Sequence, residues 1–114
     1  MDIEVNREDY IDVEDAVHRI GGNRDLYKRL LGRFVDGNHF DALVNALDSG
    51  DKDEAAHLAH TLKGVSANLS LVKIMSITVE LEKCIKESAD HTARLAELRD
   101  AYDVTLGMIA ELVG

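Results

Sequence analysis

Apolar positions fall into six stretches with the three- and four-residue steps of amphipathic helices. Val13, Ala16, Val17 and Ile20 make the inner face of a short first helix, capped by Asp12 and stopped at Gly21-Gly22. Asn23 caps a second helix carrying Leu26, Tyr27, Leu30, Leu31 and Phe34, which ends at Gly37. A third carries Phe40, Leu43, Val44 and Leu47 and stops near Gly50. Asp51-Lys52-Asp53-Glu54 reads as a capping box, with an acceptor at the cap and a glutamate three residues on. It opens a fourth helix over about 52–68. Ser70 is a cap for a fifth, with Leu71, Ile74, Met75, Thr78, Leu81 and Ile85 on one face, and Ser88 or Asp90 starts the last. There Leu95, Leu98, Tyr102, Thr105, Ile109 and Leu112 repeat at alternating steps, which suits nearly antiparallel packing. Short connections make successive long helices antiparallel neighbours. The pattern predicts an all-α fold: an antiparallel four-helix bundle with one or two additional short N-terminal helices. Residues 1–11 read as an irregular lead and 12–114 as one bundle domain, with no repeat or linker.

Composition agrees with helices. The chain has 114 residues, 46% hydrophobic, with no proline and only 4% aromatic residues. A net charge of −9 argues against a nucleic-acid partner, because no basic stripe exists to meet phosphates. It favours a positively charged or metal-bearing partner surface. A single cysteine, Cys84, excludes an intramolecular disulfide and a thiolate metal cluster, and suits a reducing compartment. No signal-like segment opens the chain and no run approaches the ~18 apolar residues of a membrane span, so a cytoplasmic location without membrane insertion is expected. Gly32 to Gly37 lacks the Lys-Ser/Thr ending of a P-loop, so no nucleotide loop is present.

The fourth helix carries the candidate chemistry. At ~100° per residue, Leu58, Leu62 and Leu69 lie roughly 160–180° from His60. The neighbours within about 60° of it are Asp53, Ala56, His57, Lys63, Gly64 and Ala67, with Asn68 just beyond. Every strong apolar residue of this helix points away from His60, and its own face is small or polar. A histidine buried for packing would not be presented this way. Imidazole is a nucleophile that is largely neutral near pH 7. Lys63, one turn on, supplies a flexible positive charge. Gly64 keeps the approach low, at a helix-propensity cost of about 1 kcal/mol relative to Ala.

His60-Thr61-Leu62-Lys63-Gly64, with Ser66 and Asn68-Leu69 behind it, resembles the signature of histidine-containing phosphotransfer (HPt) domains. Gly22 to Tyr27 with Leu30, Leu31 and Phe34, Ser49-Gly50-Asp51 before the motif helix, and Leu81-Glu82 after it are similar to the family as well. Ser70 departs from the pattern, standing where the family usually has glycine. The resemblance implies a histidine phosphocarrier that relays a phosphoryl group between receiver-domain aspartates, without autonomous kinase activity. It makes His60 the phosphoacceptor through Nε2, Lys63 the source of phosphate electrostatics and Gly64 the residue that gives access. The partners implied are receiver domains of response regulators, a hybrid histidine kinase, or both. The chain is implied to be a monomer with no cofactor of its own, Mg²⁺ coming with the receiver.

Supporting residues are read from position. His57 is one turn before His60; a plain surface role outweighs contact with the phosphate. Asn68 either orders the helix end or bonds a partner. Ser66 leans inward to a backbone carbonyl. Thr78 and Glu82 on the next helix pass near His60, but Glu82 would repel a phosphate and is not a ligand. His18, His39 and His91 read as surface positions, and Cys84 as a small residue at the core edge. Two other functions remain in view. A scaffold of this shape would bind a receiver without transfer. A metal-binding bundle would need a second copy of the single Glu54-Ala55-Ala56-His57 step, and none exists.

Overall fold

The computed structural model describes residues 7–114, so most of the expected lead, residues 1–6, lies outside the described residues. The rest of the lead is ordered: Arg7–Asp9 form a 3-10 turn and Ile11 is fully buried. Six α-helices follow: α1 (Val13–Arg19), α2 (Arg24–Asp36), α3 (His39–Asp48), α4 (Lys52–Asn68), α5 (Val72–Lys86) and α6 (Thr92–Val113). No strand occurs among the described residues. The helices start where the sequence places acceptors. Asp12, Asn23 and Asp51 each accept a hydrogen bond from the backbone N–H three residues on. The capping box at Asp51 is only half made, because the Asp51 N–H donates to Ala46 O at the end of α3.

Two serines act differently from expectation. Ser70 does not cap α5, and Leu71 at that cap has no side-chain partner. Ser70 instead closes α4. Its N–H donates to Ala67 O and the Leu71 N–H to Ser66 O, the paired bonds of a Schellman motif. The residue in this place must be left-handed, and Ser70 has φ 53°. Here lies the reason for the usual glycine. Ser88 (φ 54°) ends α5 in the same way, with Ala89 N–H donating to Cys84 O. The last helix starts at Thr92, whose N–H and hydroxyl both donate to Asp90 Oδ1.

Buried apolar side chains form one cluster that runs from Ile11 to Ile109. Successive helices α3 to α6 pack against one another, and α2 returns onto α6. Tyr102 of α6 lies against Phe34 of α2 and Phe40 of α3, with ring centroids 5.4 and 5.8 Å away. The Tyr27 hydroxyl donates to Leu69 O at 2.8 Å, tying α2 to the end of α4. Helix α4 buries Ala55, Ala59, Leu62 and Ser66 and leaves its other side to solvent. Cys84 is half-buried, as expected of a core-edge residue. His18 is exposed, while His39 and His91 are half-buried; His39 stacks on Phe34, which corrects its surface assignment.

Candidate functional site

His60 stands on the solvent side of α4 with its side chain 67% exposed. Its ring is not free on both edges. Nδ1 lies 3.4 Å from Oε2 of Glu82, which α5 brings alongside. The Glu82 side chain is only 5% exposed. Lys63 Nζ sits 2.8 Å from its Oε1, and Lys86 Nζ is 2.9 Å from its Oε2. No hydrogen bond of good geometry reaches Oε2, so proximity and charge hold it. Burial pushes the Glu82 carboxyl up, but the two ammonium groups outweigh burial and hold it down at about 2. It is therefore ionised at neutral pH. A carboxylate facing Nδ1 favours the tautomer with its proton there, which leaves the Nε2 lone pair for chemistry.

These groups border a shallow depression of about 340 Å³ at the seam of α4 and α5. Val79, an exposed apolar residue, forms part of its edge. Gly64 is exposed, and a Cβ built there meets nothing within 4 Å. Packing does not require glycine at this position. The lack of a side chain leaves the approach past α4 open.

The other expected residues divide. His57 is exposed and makes no ion pair or hydrogen bond among the described residues. Asn68 ends α4 with its side chain exposed, and backbone bonds close that end without it. Ser66 is buried and its hydroxyl donates to Leu62 O at 2.7 Å. Thr78 does not reach His60: it is buried, and its hydroxyl donates to Ile74 O. Glu82 does reach it, as its place on the following helix suggests. Sequence position alone assigns Glu82 no ligand role and does not single out Lys86. Both left a signal. Glu82 falls four residues after Thr78 and inside the inward stripe of α5, where a carboxylate needs cations over it. Lys86 follows at the i+4 position.

Residues 36–112 match the family model of the Hpt domain. The chain belongs to the Hpt domain family. Searches of curated proteins and of solved structures returned no match. The matched stretch contains His60, Lys63, Gly64, Glu82 and Lys86, whereas the similar residues from Gly22 to Phe34 precede it. Hpt domains serve phosphotransfer in two-component systems, as phosphocarriers rather than enzymes. Among the described residues no helix is long and apolar enough to cross a membrane. Nor does any group of three or more His, Cys, Asp and Glu side chains there form a cluster fit for a metal ion.

Proposed function

We propose that this chain is a phosphorelay intermediate that takes a phosphoryl group on His60 Nε2 from a receiver-domain aspartyl phosphate and passes it to another receiver. The observation that carries this reading is the exposed imidazole with Nδ1 turned to an ionised carboxylate. In the forward step the Nε2 lone pair forms the N–P bond while the P–O bond to the aspartate breaks, and the carboxylate leaves with the electron pair. The ring then carries a positive charge, and Glu82 beside Nδ1–H stabilises it. Lys63 offsets charge on the phosphoryl oxygens, and Gly64 lets the receiver approach in line. The receiver supplies Mg²⁺ and the aspartate, since phosphoryl transfer depends mostly on positioning and electrostatics. A cytoplasmic monomer that meets the receivers of response regulators or a hybrid histidine kinase completes the reading. Its bundle domain takes in 12–114 together with Ile11, whose side chain is part of the core.

The test is phosphotransfer from a panel of phosphorylated receiver domains. Wild-type chain should gain an acid-labile, base-stable label. His60→Gln should fold normally and gain none, while His57→Gln keeps it. Label on the His60→Gln variant would overturn the assignment. Tight receiver binding with no transfer across the panel would favour a scaffold.

A further inference from the structure

Glu82 sets one negative charge against two ammonium groups, Lys63 Nζ at 2.8 Å and Lys86 Nζ at 2.9 Å, so the trio keeps one positive charge for an arriving phosphoryl group. Lys83 and Glu87 also border the depression and bring one charge of each sign. Of the two ammonium groups Lys86, one turn beyond Glu82 on α5 and 2.9 Å from its Oε2, is the freer, with its side chain 62% exposed against 33% for Lys63. The two partners differ in freedom. Glu82 is 5% exposed and fixed in the seam, whereas the Lys86 side chain is 62% exposed on a flexible four-carbon stem. The oxygen it touches is also the one 3.4 Å from His60 Nδ1. The flexible stem lets the ammonium leave Glu82 and swing outward. A phosphoryl group there brings close to two negative charges beside a carboxylate that cannot withdraw.

We infer that Lys86 is a second phosphoryl-binding residue, resting on Glu82 while His60 is free and moving to the phosphoryl oxygens once Nε2 is phosphorylated. This rests on the proposed role of His60 as phosphoacceptor. Lys86 gives up no proton; it contributes charge, and Glu82 is the positioning residue that keeps that charge beside the ring beforehand.

The experiment uses the full chain and phosphoramidate, a small donor whose P–N bond breaks with loss of ammonia as the Nε2–P bond forms. In ³¹P NMR, the resonance missing from His60→Gln belongs to His60. Its pH titration reads the second ionisation of the phosphoryl group, which a touching cation favours. Lys86→Gln should raise that midpoint by about half a pH unit, roughly a threefold change in proton affinity. Lys86→Arg should restore most of the shift, and Lys83→Gln should move it less than half as far. An unchanged midpoint in Lys86→Gln, or an equal shift in Lys83→Gln, would overturn the contact while leaving the phosphoacceptor intact. If no resonance depends on His60, the phosphoacceptor reading itself falls, and Lys86 with it.

Discussion

A buried carboxylate between two ammonium groups makes a definite demand on pH. The Glu82 carboxyl is held at about 2, below its ordinary 4.5, despite burial that pushes it up. A depressed carboxyl contributes stability above its unfolded value and loses it as pH falls through the folded one. The window is therefore about pH 4.5 down to 2. Glu82→Gln keeps the shape and removes the charge. It should cost about 1–2 kcal/mol at pH 7, less than a fully buried pair, because Lys86 is well solvated. The deficit should shrink below pH 4.5 and fall to about a quarter of its neutral-pH size at pH 2.5, read from urea midpoints at each pH. A pH-independent deficit would mean that Glu82 acts by packing and not by charge.

At the scale of elements, helix ends separate what the sequence disclosed from what it hid. The apolar stripes placed all six helices, and α4 spans Lys52–Asn68, as its capping residues and periodicity led one to expect. The caps at Asp12, Asn23 and Asp51 were legible because an acceptor before an apolar stripe has one main use. Serine does not. It serves before a helix as a cap, and at Ser70 and Ser88 it follows one in a left-handed turn instead. Glycines at 21 and 50 announce such turns, whereas serine hides them. The site was legible on α4, where one helix face suffices to place His60, Lys63 and Gly64. Across the seam the sequence brought Glu82 near His60 but not its ion pairs with Lys63 and Lys86, because those depend on how α5 packs. Ser70 supplies a test of this account. Its hydroxyl donates to Asp15 Oδ2 at 2.8 Å, and Asp12 N–H donates to its carbonyl. Ser70→Gly loses one hydrogen bond of about 1 kcal/mol but relieves a left-handed cost of similar size, so it should be near neutral. Ser70→Ala loses the bond and keeps the cost, and should be about 1 kcal/mol less stable than Ser70→Gly. Equal denaturation midpoints would remove the backbone argument.

Across the whole molecule, α4 serves two masters on opposite sides, and two residues one position apart from Lys63 expose the division. Leu62 has no accessible surface and belongs to the common core. Leu62→Ala should cost about 2–5 kcal/mol, a large share of the roughly 5–15 kcal/mol that a small domain has. The folded fraction should still accept phosphoryl groups at His60, because the outward face is untouched. Gly64 is the converse. Its missing Cβ faces open space, so Gly64→Gln should fold as well as wild type or gain up to about 1 kcal/mol from helix propensity. Its defect should depend on the size of the donor. Phosphoramidate is small enough to pass a glutamine side chain and should label His60 at nearly the wild-type rate. A receiver domain must bring its whole surface down onto α4, and its transfer should slow by about tenfold or more, equivalent to ~1.4 kcal/mol of barrier. Comparing the two donors on one variant separates approach from chemistry. Equal slowing with both would mean that the glutamine disturbs the imidazole itself. No slowing with the receiver would mean that the open space beside His60 has no part in docking.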